Sequence, residues 1–75
     1  VMEGSMKISA RNQLPGTVKS VVQGAVMAEV IVTLDGGGEI VSAITMESAR
    51  RLELQPGKRV AAVIKSTEVM LAVDE

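Results

Sequence analysis

Cysteine, histidine, phenylalanine, tyrosine and tryptophan are all missing from this 75-residue chain. Each absence removes a class of answer. Without cysteine no disulfide can staple the fold, and without cysteine or histidine a structural zinc site lacks its usual ligands. A single domain of this size buries a limited share of its surface, and its core rarely supplies more than about 3–5 kcal/mol. The supplement that remains is association with further copies of the same chain. The composition agrees, with 47% hydrophobic residues and a mean hydropathy of +0.31, and it predicts an oligomer whose interfaces are partly core-like.

Charge of one sign is lacking too. Eight basic and nine acidic residues leave a net charge of −1, with the positive charges scattered. That argues against a general polyanion binder, because nucleic-acid affinity rests on phosphate neutralisation. The missing aromatics argue the same way, since single-strand binders stack bases on aromatic rings. No apolar run approaches the ~18 residues of a membrane span, and no basic segment leads into the apolar stretch of a signal peptide. The expectation is a cytoplasmic protein with neither nucleic-acid nor membrane partners. Residues 1–5, "VMEGS", join no pattern and read as a cloning remnant, leaving residues 6–75 as the domain.

What is present reads as short strands. Residues 7–10 form one candidate and residues 17–23 ("TVKSVVQ") another, with Pro15-Gly16 as the break between them. Residues 27–34 ("MAEVIVTL") make a strong strand that ends at Asp35, Gly36, Gly37 and Gly38. This glycine run suits a hairpin loop, where positive φ is needed. It lacks the Lys-Ser/Thr ending of a phosphate-binding loop and leads into a strand, residues 39–44, instead of a helix. At Thr45 the period changes: a helix through Leu52 is expected, capped by Thr45, with Ser48 at its third position. After Pro56-Gly57, residues 58–65 and 68–73 supply two more apolar strands. The total is an all-β fold of about five strands with one short helix, a small OB-like β-barrel.

Catalysis has little to work with, and the chain reads as no enzyme. The serines have no visible base, and no Gly-x-Ser-x-Gly motif occurs. Glu29, Glu39, Glu47, Glu53 and Glu68 are spread out and read as a solvated face. No Asp-rich loop gathers ligands for a hard cation. Met27, Met46 and Met70 lie within apolar patterns and read as packing residues.

Anion binding needs donors, and three places offer them. The stretch "SARNQ" gathers Ser9, Arg11, Asn12 and Gln13. Thr45 and Ser48 stand at a helix start, with unpaired backbone N–H groups and the positive end of the helix dipole. Lys65, Ser66 and Thr67 follow a strand. Arg11 brings a fixed fork of N–H donors, Lys65 a mobile point charge. Taken singly, each has an ordinary reading as well: a surface arginine, a helix cap, a turn.

At these residues the chain resembles the molbindin (Mop) family, whose domain also occurs in molybdate-responsive transcription regulators and molybdate-transporter ATPases. The likeness runs from Met6 to about Asp74, through "SARNQLPG", "GAVMAEV", "ITMES" and "VIKSTEVMLAV". The resemblance implies a cytoplasmic protein that binds molybdate or tungstate without transforming it, for storage and molybdenum homeostasis. It implies an OB-like barrel and a homo-oligomer, a hexamer built as a trimer of dimers, with the oxyanion between subunits and no organic cofactor. Ser9, Arg11, Lys65 and Ser66 of one subunit, with Thr45 and Ser48 of its neighbour, would surround the ligand. Backbone N–H groups near Ala10 and Ser66 would assist. A second class of site near a threefold axis would involve Gly24, Ala25 and Val26. Family sequences often carry asparagine where this chain has Met46, which would matter only if that position touches the anion. The competing reading is an OB-like oligomerisation module without ligand binding.

Overall fold

The longest strand runs straight through the proline expected to interrupt it. In the computed structural model, which describes residues 7–74, the elements are β1 (Asn12–Gln23), β2 (Met27–Leu34), β3 (Glu39–Thr45), α1 (Met46–Arg51) and β4 (Arg59–Ile64), followed by a 3-10 turn, Ser66–Glu68. The reading of residues 1–5 as a cloning remnant lies outside the described residues.

All pairing is antiparallel, in the order β3-β2-β1-β4. Pro15 is tolerated because of where its missing N–H would point. A strand residue directs its N–H and C=O to the same side. The Pro15 carbonyl accepts from Asp35 N at 3.0 Å, just past the end of β2, so no β4 ladder bond is lost. Gly16 next to it is squeezed between two strands, pairing with Leu34 on one side and Val60 on the other. The expected break is therefore corrected to one continuous strand.

β1 curls at a bulge. Its register to β2 passes from Val18↔Val32 to Ser20↔Ile31, leaving Lys19 as an extra residue. There Val18 N donates to Lys58 O and Gly57 N donates to Val18 O, both at 2.9 Å. Lys19 turns outward and pairs with Glu39 at 2.6 Å. Residues 12–15 of β1 pair with β4 alone, Gly16 and Thr17 pair on both sides, and beyond the bulge β1 pairs only with β2. The curl gives the all-β, OB-like half-barrel its shape, with the single helix between β3 and β4 as expected.

The inner face is valine-rich. Alternation along β2 buries Ala28, Val30 and Val32 and turns Met27, Glu29 and Thr33 outward. Val18, Val30 and Val32 form the centre, ringed by Val21, Leu34, Ile40, Ile44, Leu54 and Val60. A second cluster joins Ala28 to Met46 and Ala49 of α1. The glycine loop is the expected hairpin connection: Gly37 (φ 104°) and Gly38 (φ 85°) adopt backbone that side chains avoid, and Leu34 N closes the loop on Gly38 O at 2.9 Å.

Two expected strands do not pair among the described residues. Residues 7–10 hold a bend, and residues 69–74 run on without a ladder partner among the described residues. Met70 was read as a packing residue, yet it is 92% exposed; Met27 is also exposed, and of the three only Met46 is buried. Periodicity reports that a segment is apolar, but not whether its own chain supplies the cover.

Candidate functional site

Two of the three donor groups converge. β1 pairs with β4 from Thr17↔Arg59 to Asn12↔Ile64, so Arg11 and Lys65 are the next residues out on adjacent strands. Both are exposed. Neither lies within ion-pair distance of a carboxylate among the described residues. Two cations brought together without counter-charge repel each other, and an anion between them relieves that repulsion.

The neighbours of Arg11 hold this end in place. Asn12 Nδ2 donates to Ile64 O at 3.1 Å, and Gln13 Nε2 donates to Ala10 O at 3.0 Å. Ala10 is buried, while Ser9 lies exposed in the bend just before it. The donor-rich stretch thus divides its labour: Asn12 and Gln13 tie down the backbone, and Ser9 and Arg11 face out. The positioning role of Asn12 was missed in the sequence, because it depends on β4, 52 residues away. Lys65 caps the 3-10 turn that Ser66 opens, so Lys65 and Ser66 stand at the end of β4 beside Arg11.

The third group lies elsewhere in the chain. Thr45 pairs with Met27, next to the β1–β2 turn at the far end of β1. The twelve residues of β1 correspond to roughly 35–40 Å of extended backbone along the strand path. Here the expectation of unpaired N–H groups needs correcting. Met46 N donates to Val26 O at 2.7 Å, and Ser48 N donates to Thr45 Oγ1 at 3.1 Å. Thr45 Oγ1 in turn donates to Ser48 Oγ at 2.9 Å, which leaves the Ser48 hydroxyl proton to donate outward. Glu47 is exposed in the same turn, where its charge suits the helix dipole and opposes an incoming anion.

Gly24, Ala25 and Val26 form the exposed β1–β2 turn, with Val26 held against α1 through the Met46 bond. Gly24 has a steric reason of its own: a Cβ there would lie 2.7 Å from Met27 O. Met46 does not face outward at the helix start. It is buried against the Ala28 and Ala49 cluster, so its side chain is core.

Asp35 and Arg59 are structural partners of each other. Arg59 grips Asp35 through two hydrogen bonds, 2.7 and 2.6 Å, and donates to Thr17 Oγ1 at 2.9 Å. The hydrogen bond from Arg59 holds the Asp35 carboxyl below its ordinary value, against an opposing effect of desolvation, and the same bond raises Arg59. Glu29, Glu39, Glu47, Glu53 and Glu68 are all exposed, and no cluster fit to hold a metal cation occurs among the described residues. No helix among them is long and apolar enough to cross a membrane.

Comparison with known proteins identifies the family and the fold. Residues 8–71 match the TOBE domain model. Molybdenum-pterin-binding protein 1 of Clostridium pasteurianum is 46% identical over 66 residues, spanning 88% of this chain and 97% of the relative. A molybdate-binding protein from Sporomusa ovata superimposes with a TM-score of 0.85 at 46% identity, over 91% of this chain and all of that one. The cytoplasmic molybdate-binding protein ModG, crystallised with molybdate bound, gives 0.78 at 45% identity; the match covers 88% of this chain and 53% of ModG. With a continuous match across nearly the whole domain, the chain belongs to the TOBE-domain family, in its molbindin (Mop) branch.

Proposed function

We propose that this chain binds molybdate, and also tungstate, as an intact oxyanion at seams between its own copies, and so stores molybdenum in the cytoplasm. The observation that carries the reading is the meeting of Arg11 and Lys65 at one end of the β1–β4 ladder, without a carboxylate partner among the described residues. Relatives named for binding molybdate or molybdenum-pterin supply the identity of the guest.

The chemistry is recognition. Arg11 offers planar paired N–H donors, Lys65 a second positive charge, and Ser9 and Ser66 hydroxyls, to a tetrahedral dianion. Backbone N–H groups near Ala10 and Ser66 add to these. Thr45 and Ser48 lie too far along β1 to join the same half-site easily, so they act from a neighbouring copy in a hexamer built as a trimer of dimers. Gly24, Ala25 and Val26 would serve a second site near the threefold axis. Selectivity follows from size: sulfate carries the same charge but is smaller, and a rigid ring of donors leaves some of its bonds to sulfate unmade. Binding at a seam also stabilises the assembly that forms the site.

Titration calorimetry with molybdate, tungstate and sulfate tests the reading, with native mass spectrometry to count subunits and anions together. Tight uptake of the first two with no response to sulfate supports it. An assembled protein that takes up none of them is an oligomerisation module, and the proposal fails.

A further inference from the structure

Ala10 and Arg11 precede the first ladder pair, Asn12↔Ile64, so the sheet does not set the direction of the peptide between them. The same holds on the facing strand for the Lys65–Ser66 peptide, which follows β4. Direction matters at both places, because a trans peptide carries its C=O and N–H on opposite sides. With its N–H toward an anion such a peptide donates a hydrogen bond; turned over, it presents a carbonyl oxygen that the anion repels.

At the end of β4 the backbone itself makes the choice. Glu68 N donates to the Lys65 carbonyl at 2.9 Å, and Ser66 N, on the other side of that peptide, has no acceptor among the described residues. At the start of β1 no such turn is available, since the chain is extended from Asn12 onward and does not bring a backbone N–H back three residues. A side chain takes its place: Gln13 Nε2 donates to the Ala10 carbonyl at 3.0 Å, at the same three-residue spacing. Arg11 N, on the far side of this second peptide, is likewise without an acceptor among the described residues.

We propose that Gln13 is a positioning residue of the anion site: its side-chain amide holds the Ala10 carbonyl back, so that the Arg11 backbone N–H faces the same oxyanion as the Arg11 guanidinium. Ala10 is buried and Gln13 half-buried, which shields the bond from competing water. Arg11 then acts twice, through its side chain and its main chain. The two strand ends present matching main-chain donors, one set by Gln13 and the other by Glu68. An ionised carboxylate at position 13 could not do this, having no proton to donate.

This role rests on the reading that an oxyanion binds beside Arg11 and Lys65, and the two fail differently. Proton–nitrogen correlation spectra of the full chain, recorded with and without sodium molybdate, tell them apart. Molybdate is expected to move both the Arg11 and the Ser66 amide protons downfield, as charge-assisted hydrogen bonds form. Movement of Ser66 without Arg11 leaves anion binding standing and overturns the role of Gln13. Movement of neither, with a silent calorimetric titration, removes the anion reading and this role with it. Gln13→Met keeps an unbranched side chain of similar length without the donor. In that variant the Arg11 response is expected to shrink while Ser66 still moves, with molybdate affinity lower by about five- to tenfold, the share of one hydrogen bond. Equal loss of both responses, or an Arg11 response unchanged from the original, makes Gln13 ordinary structural support and overturns the proposal.

Discussion

Asn12 faces Ile64 across the β1–β4 ladder, and its side-chain amide donates to the Ile64 carbonyl at 3.1 Å. This bond secures the strand ends from which Arg11 and Lys65 project, so it links the fold directly to the proposed binding chemistry.

Arg11→Ala is expected to weaken molybdate binding about 10- to 150-fold, the equivalent of one charge-assisted hydrogen bond at about 1.5–3 kcal/mol. Asn12→Ala leaves both cations in place but loosens their setting, with a loss of about fivefold, near 1 kcal/mol. Calorimetric titration of both variants, with circular dichroism to verify folding, checks the order. Equal losses would mean that Arg11 acts only through local structure.

Thr45 serves as a helix cap whatever else it does, since it accepts from Ser48 N at 3.1 Å. Thr45→Asp separates the two roles. Aspartate caps as well as threonine or better, so urea stability should stay within about 0.5 kcal/mol of the original. In the proposed site its negative charge would face the dianion, and affinity should drop about tenfold or more. Unaltered affinity would remove Thr45 from the site.

Gly16→Ala should destabilise the barrel by about 1–3 kcal/mol, read as a lower urea midpoint at unchanged slope. A methyl group there would sit 2.5 Å from Thr33 O and 2.8 Å from Val32 Cγ1, and the backbone oxygen cannot move aside alone.

The Asp35–Arg59 pair predicts acid sensitivity. Because Arg59 holds the folded Asp35 carboxyl below its ordinary value, the pair contributes stability above about pH 4, and that contribution is lost as pH falls through the lowered value. Asp35→Asn removes it. The difference in urea midpoint between the two proteins should therefore be present near neutrality and close on acidification. Both side chains are well exposed, so added salt should shrink the difference.

The contrast between β2 and β1 explains what could be read in advance. Residues 27–34 alternate apolar and polar and stop at a glycine run, and the strand occupies those residues. Thr45 caps α1 for an equally local reason: a hydroxyl reaches an amide three residues on. For β1, the local signal of Pro15-Gly16 said turn and the tertiary structure said strand, because the proline's donorless side meets the end of β2.

By itself, then, the sequence determined the all-β class, the β2–β3 hairpin, the capped helix, the donor-rich stretch and a high apolar content for a chain of this size. Each follows from interactions within a few residues or from composition. Only the tertiary structure decided that Arg11 stands beside Lys65 while Thr45 lies at the far end of β1, that Met46 belongs to the core, and that residues 69–73 find no cover in their own chain. These depend on register between distant strands, which side-chain pattern constrains by face but not by partner.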